Sequence, residues 1–280
     1  MNFNERSTSI LGNKWVTEVI PNAPYVTDPK WMDKYRCKYV IHGDDITTDA
    51  NGNDCYGIVR DQGRLKLVKR TNGVSTTDLI NILLSSTKDH YEVINQEFIL
   101  RNEEILKKFG TGFDGESAYN DIYYILNDDQ IKSIQKVNDQ NDYNEYIYIK
   151  GSFDLFNPFH IKALEQYKDQ NLLIGIYKDG YEFTTMNILQ RSLCVLQCKY
   201  VKSVIIGVND MNDELIKKQF KVKNIIKIGD FNNEFNYLKN DGIKRRIQND
   251  LNKFLERQQK KSSKTEYEKI LESQQNPAII

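Results

Sequence analysis

The chain has 280 residues and sets 39 Lys and Arg against 39 Asp and Glu, a formal net charge of zero. A nucleic-acid binder held by phosphate neutralisation needs a basic excess, and a disordered charged tail would not carry 39% hydrophobic and 11% aromatic residues, so both classes are excluded. Cys37, Cys55, Cys194 and Cys198 lack metal-site spacing and predict a reduced, cytoplasmic setting, while the polar start and short apolar runs predict neither a signal peptide nor a membrane span.

The first predicted element is repeated. MNFNERSTSILGNKWVTEVI at Met1 recurs as MNILQRSLCVLQCKYVKSVII at Met186. Without a gap, Met1, Asn2, Arg6, Ser7, Leu11, Lys14, Val16, Val19 and Ile20 face Met186, Asn187, Arg191, Ser192, Leu196, Lys199, Val201, Val204 and Ile205, and Trp15 faces Tyr200. Convergence of two amphipathic helices explains the apolar positions but not the shared Met-Asn, Arg-Ser and Lys, so duplication is the reading adopted. Each copy predicts a helix with an apolar stripe followed by a short strand.

Copy one continues through a strand at Lys38–His42, a loop to Gly63, a strand near Leu65–Lys69 and a helix at Thr77–Ser86. Residues 89–144 read as a polar connector with local helical signals at Asn102–Lys108 and Asp129–Val137. Then follow a strand at Tyr146–Lys150, a helix at Pro158–Asp169, a strand at Leu172–Tyr177, a helix at Ile188–Cys198 and a strand at Ser203–Val208. That alternation predicts an α/β protein with two tandem doubly wound, Rossmann-like domains and parallel sheets. The expected division is 1–90 for the first domain, 91–144 for the connector, 145–258 for the second domain and 259–280 for a polar tail. Ile243, Ile247, Leu251 and Phe254 recur at helical spacing and predict a packed helix rather than a membrane-surface one. A strand, a helix and a strand precede Met186 and nothing precedes Met1, so the first domain is expected to lack its opening βαβ unit.

Three clusters carry candidate chemistry. His42-Gly43-Asp44-Asp45 stands at the carboxyl end of a predicted strand, where open α/β sheets bind ligands; a plain strand-to-loop turn is the alternative. Arg70-Thr71-Asn72-Gly73-Val74-Ser75-Thr76-Thr77 closes a strand and opens a helix. Hydroxyls and free N–H groups there suit a phosphate, and an arginine adds a bidentate grip, although a simple N-cap uses the same residue types. Gly151-Ser152-Phe153-Asp154 leads to Pro158 and to His160 in the first turn of a helix.

Together these clusters resemble the cytidylyltransferases of phospholipid synthesis. RTNGVSTTDLI is similar to the family's Arg-Thr-Glu-Gly-Ile-Ser-Thr motif, with Asn72 in place of Glu and Val74 in place of Ile. HGDD, APYVT at Ala23–Thr27, GSFDLF at Gly151–Phe156 and MN-x-x-x-R fit the same order. The tandem arrangement resembles the members that act on phosphoethanolamine. Choline-phosphate members instead join one domain to a long membrane-binding helix.

The resemblance implies transfer of cytidylyl from CTP to phosphoethanolamine, with Mg²⁺ on the triphosphate, for phosphatidylethanolamine biosynthesis. It implies that His42, Gly43 and Asp44 sit near the nucleotide, and that Arg70, Thr71, Gly73, Ser75, Thr76 and Thr77 hold CTP. Ser152, Phe153 and Asp154 form any second-domain nucleotide site that is retained. The family's His-x-Gly-His would precede Met1 in the first domain and reads Asn157-Pro158-Phe159-His160 in the second, so His160 is expected as a vestige. Expected partners are CTP and phosphoethanolamine, at most weak peripheral membrane contact, and a second copy in a homo-oligomer. The rival expectation is a non-catalytic nucleotide-binding or regulatory partner of a full-length cytidylyltransferase, or a choline-phosphate enzyme.

Overall fold

The computed structural model describes residues 1–43, 47–69, 76–85, 87–127, 129–137, 145–253 and 256. The chain forms two compact units, Glu18–Ser75 and the combination of Met1–Thr17 with Thr76–Ile280. Helix α1 (Phe3–Leu11) starts at a reciprocal cap: the Asn2 side chain accepts from the Glu5 N–H at 2.9 Å, and the Glu5 carboxylate accepts from the Asn2 N–H at 3.0 Å.

In the smaller unit Asp28 caps α2 (Pro29–Lys34), with Pro29 in the first turn where its missing N–H costs nothing. Strands β1 (Val40–Gly43) and β2 (Leu65–Val68) pair in parallel, Val40 opposite Leu65 and Gly43 opposite Val68, with α3 (Gly57–Asp61) in the crossover. Parallel pairing requires such a crossover. Both strands fall within two residues of their predicted bounds.

The larger unit continues with α4 (Thr76–Ser85), α5 (Gln96–Phe109), β3 (Asp121–Leu126), β4 (Gln130–Gln135), β5 (Tyr146–Gly151), α6 (Pro158–Glu165) and β6 (Leu172–Tyr177). It ends with α7 (Ile188–Leu196), β7 (Ser203–Val208), α8 (Asp213–Gln219), β8 (Val222–Lys227) and α9 (Asn240–Asn249). The strands lie in the order β4-β3-β7-β6-β5-β8, all parallel except β4. Strands apolar on both faces need cover on both. Ile147, Ile149, Leu172, Ile174 and Val204 join side chains of α5, α6 and α7 on one face. Tyr146, Tyr148, Leu173 and Ile205 pack with Ile216 of α8 on the other. β6 and β7 lie on one side of β5 and β8 on the other, so the chain reverses direction across the sheet at the carboxyl ends of β5 and β8. The predicted α/β class with parallel sheets is thus the observed one.

Two local expectations are corrected. Asp129–Val137 was expected as helical, and β4 stands there instead, because Ile131 and Ile134 serve opposite faces of the sheet and pairing with β3 supplies the backbone bonds. A short strand was expected after the first helix, and residues 16–20, which follow it, are outside any strand. Its counterpart β7 is held between β3 and β6. A segment with no flanking strands has no ladder to join.

The two copies of the repeat meet each other. The Lys14 N–H donates to the Gln197 carbonyl at 2.9 Å, and the Lys199 N–H donates to the Gly12 carbonyl at 2.9 Å. Lys14 and Lys199 are repeat equivalents, as are Gly12 and Gln197, so the bonds are reciprocal about the Asn13–Cys198 bridge. This is the self-complementary pattern of a two-fold interface built within one chain. Helix α7 also repeats the cap of α1: the Asn187 side chain accepts from the Gln190 N–H at 2.9 Å.

At the far end of the chain, Ile243 and Ile247 of α9 are half-buried and line an apolar recess with Leu79, Leu83, Leu155 and Pro158, Leu251 is half-buried, and Phe254 of the predicted stripe lies outside the described residues. A methyl group at Gly242 would collide with the carbonyl oxygen of Tyr237, which is backbone and cannot swing aside. Gly242→Ala, normally favourable in a helix, is expected here to cost about 1–3 kcal/mol, seen as a lower urea midpoint. No helix among the described residues is long and apolar enough to cross a membrane.

Candidate active site

The motif residues of the first copy are unevenly described. His42 and Gly43 end β1, with the His42 Nδ1 at 3.0 Å from the Gly43 carbonyl and its ring tilted against Tyr56 at 4.6 Å. Thr76 and Thr77 open α4, so the predicted helix start is where the sequence placed it. The side chains of Thr76 and Thr77, and the whole of Asp44, Arg70, Thr71, Gly73 and Ser75, lie outside the described residues.

The second copy is described throughout, and it does bring its motif together. β5 ends at Gly151, where the absence of a side chain lets Ile228 close over the backbone. Phe153 and Leu155 follow in the left-handed region, with φ of 51° and 47°, which turns the chain sharply into α6. The Asp154 carboxylate is buried and accepts from the Thr185 N–H at 2.8 Å, the Met186 N–H at 2.9 Å and the Asn240 side chain at 3.1 Å. Burial pushes its pKa up, against the pull of those donors.

Asn157 caps α6. Its side chain accepts from the Phe159 N–H at 2.9 Å, and its amide donates to the carbonyls of Leu155 at 2.8 Å and Leu238 at 3.0 Å. A free helix N-terminus can receive an anion, but here a first-turn N–H already has a partner. His160 lies one turn in. Its Nδ1 accepts from the Asn157 N–H at 3.2 Å, and its ring stacks on Phe156 at 5.3 Å and meets Phe159 and Phe153 at 5.4 and 5.8 Å. Burial in that aromatic cage lowers its pKa to about 3, so the imidazole is neutral at physiological pH. Lys239 lies 4.9 Å over the Phe159 ring and donates to the carbonyls of Gly229 and Phe231, both at 3.0 Å. The place where strand order reverses is therefore filled with side chains.

Sequence reasoning missed the centre of this arrangement. Arg191 is fully buried and pairs with Asp179 at 2.6 Å, while donating to the carbonyls of Ser152 at 2.6 Å, Tyr177 at 2.9 Å and Met186 at 3.1 Å. Asp179 also accepts from the N–H groups of Glu92 and Ile188. The recurrent MN-x-x-x-R pattern contained the signal, since an arginine repeated on an apolar stripe needs a buried acceptor. Lys14 is a second case. It donates to the Phe109 carbonyl at 2.6 Å and to the Asn120 side chain at 2.7 Å, and burial lowers its pKa to about 7.

Residues 1–82 match the family model described as Cytidylyltransferase-like. The ethanolamine-phosphate cytidylyltransferase of Saccharomyces cerevisiae is 41% identical over 211 residues, which is 74% of this chain and 64% of the yeast protein. The protein of that name from Mus musculus is 33% identical over 72% of this chain and 57% of its own length. Choline-phosphate cytidylyltransferase 2 of Arabidopsis thaliana is 38% identical, over 36% of this chain and 32% of its own. The chain spans 57–64% of the yeast and mouse ethanolamine-phosphate relatives. On these matches, together with the repeat and the α/β sheet, the chain belongs to the cytidylyltransferase family, as a relative of its ethanolamine-phosphate members.

Proposed function

We propose that the chain works in the cytoplasm in CTP:phosphoethanolamine cytidylyl transfer, forming CDP-ethanolamine and pyrophosphate for phosphatidylethanolamine biosynthesis. The observation that carries this is the RTNGVSTT run ahead of α4, within a chain whose ethanolamine-phosphate relatives match over about three-quarters of it. A phosphate oxygen of phosphoethanolamine attacks the α-phosphorus of CTP in line, and the bond to the leaving pyrophosphate breaks with its electron pair. No covalent enzyme intermediate is needed, so the protein's part is positioning and charge stabilisation.

Arg70 takes the phosphates through two N–H groups, Gly73 lets the backbone approach, and Ser75, Thr76 and Thr77 donate from the start of α4. His42 and Gly43, with Asp44, face the nucleotide. Mg²⁺ is read as part of the substrate, carried on the triphosphate, where it would neutralise phosphate charge. The second copy is read as a filled, non-catalytic one. Its His160 is caged and neutral, and Ser152, Phe153 and Asp154 are engaged in holding the fold.

Arg70→Ala is the test. Removing a charged donor costs about 1.5–3 kcal/mol, so CTP affinity by calorimetry with Mg²⁺ is expected to fall roughly tenfold to a hundredfold, with CDP-ethanolamine formation falling alongside. Unchanged affinity removes the assignment of the motif. The filled second copy favours one other reading, a nucleotide-binding partner of a complete cytidylyltransferase. That reading predicts CTP binding that Arg70→Ala weakens, with no CDP-ethanolamine formed by the purified chain.

A further inference from the structure

The repeat places a lysine at the same position of both copies, and the two amines meet different surroundings. Lys199 lies 5.2 Å over the Tyr200 ring and has the Glu165 carboxylate as an electrostatic neighbour. Lys14 has neutral oxygens instead. Its amine donates to the Phe109 carbonyl at the end of α5 and to the Asn120 side chain, with the Trp15 and Tyr119 rings at 5.0 and 5.1 Å. No carboxylate among the described residues lies within ion-pair reach of it. The amine also sits on a seam. Beside it the Lys14 and Lys199 N–H groups bond the Gln197 and Gly12 carbonyls, and the Asn13 side chain donates to that of Gln197 at 3.2 Å. All of these residues belong to the larger unit.

The charged and titratable groups around the amine do not supply a counter-ion. Tyr119 donates its hydroxyl to the Lys199 carbonyl at 2.8 Å, and Lys202 lies 4.3 Å over the same ring, adding positive charge. Burial pushes the Cys198 thiol up to about 12, so it stays neutral. The last turn of α5 carries Lys107 and Lys108, both exposed, with Lys107 paired to Glu103. Asp121 follows Asn120, but its carboxylate accepts from the Val137 N–H at 2.8 Å and the Ser203 hydroxyl at 3.3 Å. An ammonium taken from water without a partner keeps its proton at a cost, which deprotonation removes. Burial accordingly lowers the Lys14 pKa to about 7.

We propose that Lys14 is a pH-responsive clasp on the seam between the two copies, tightened by deprotonation and loosened by protonation. A neutral amine still has two N–H groups for its two oxygens, so losing the proton leaves both bonds in place. With the seam open, the solvated amine returns to its ordinary value of 10.5. Between about 7 and 10.5 the open form therefore holds one more proton than the closed one, and rising pH favours closure. Below about 7 both forms are charged and the response saturates. The clasp works on the alkaline side of neutrality, and it needs no substrate.

The test follows amide exchange of the full chain at the Lys14 and Lys199 N–H groups, each rate divided by its unprotected value at the same pH. Protection is expected to fall about fifteenfold from pH 8.5 to pH 7, and only about twofold further to pH 6. Lys14→Met keeps the apolar stem without the titrating amine and is expected to abolish this dependence. Lys199→Met is expected to retain it. Should Lys14→Met fail to fold, carbon NMR at the lysine ε position of the parent reads the group directly, with one lysine expected to titrate near 7. Flat protection from pH 8.5 to pH 7, an undiminished dependence in Lys14→Met, equal loss in both variants, or every lysine titrating near its ordinary value overturns the proposal.

Discussion

Replacing Arg191 with alanine is expected to destabilise the larger unit by about 3–5 kcal/mol, lowering the urea midpoint without altering the slope. The cost comes from what is left behind. The Asp179 carboxylate loses the guanidinium that sits 2.6 Å away in a site where both side chains are at most 1% exposed. The carbonyls of Ser152, Tyr177 and Met186 lose their donors at the same time. A buried charge without its partner costs far more than the pair contributed when whole. Arg6→Ala removes the same residue type from the equivalent position of the other copy, where the side chain is exposed. That variant is expected to stay within about 0.5 kcal/mol of the parent. Equal effects in the two variants would mean that burial is not what separates the copies.

The contrast also explains which parts of the fold were legible in the sequence. Leu172–Tyr177 and Ser203–Val208 read correctly to the residue because a strand buried on both faces writes a continuous apolar run. β3 and β4 were hidden because DIYYIL is flanked by charge and QIKSIQ places isoleucines three apart, a helical spacing that here serves two faces. The proposed phosphate-binding motif was visible as chemistry, since Arg, Gly and hydroxyls before a helix are one local pattern. The Arg191–Asp179 pair was not, because Asp179 lies in the loop after β6 and nothing in its own neighbourhood marks it as buried. His160 was recognisable as out of place from the Phe159 that stands where the family has glycine. Its neutrality follows only once Phe153 and Phe156 fold onto the ring.

That neutrality yields the second large effect. The folded pKa of His160 is about 3 and that of an unfolded histidine is about 6.5, so between those values the unfolded chain binds one more proton than the folded one at this site. Stability therefore falls as pH drops from about 6.5 towards 3, by about 1.4 kcal/mol for each unit, and the contribution is complete above the upper limit. Over the whole window the loss approaches about 4–5 kcal/mol. Asp154, with its pKa raised by burial, acts with opposite sign at the acid end, so the histidine must be isolated by difference.

His160→Gln serves for this. Glutamine at the third helical position keeps the reciprocal cap that the imidazole now makes with the Asn157 N–H, and it does not titrate. Urea unfolding between pH 4 and 7 is expected to give a shallower acid slope in the variant by close to one proton. Identical slopes would show that the imidazole protonates in the folded chain, and would reopen it as a cation for a leaving pyrophosphate. A flattened slope leaves the second copy without an imidazolium at His160 for such a leaving group, and the proposed transfer then rests on the proposed Arg70 motif of the first.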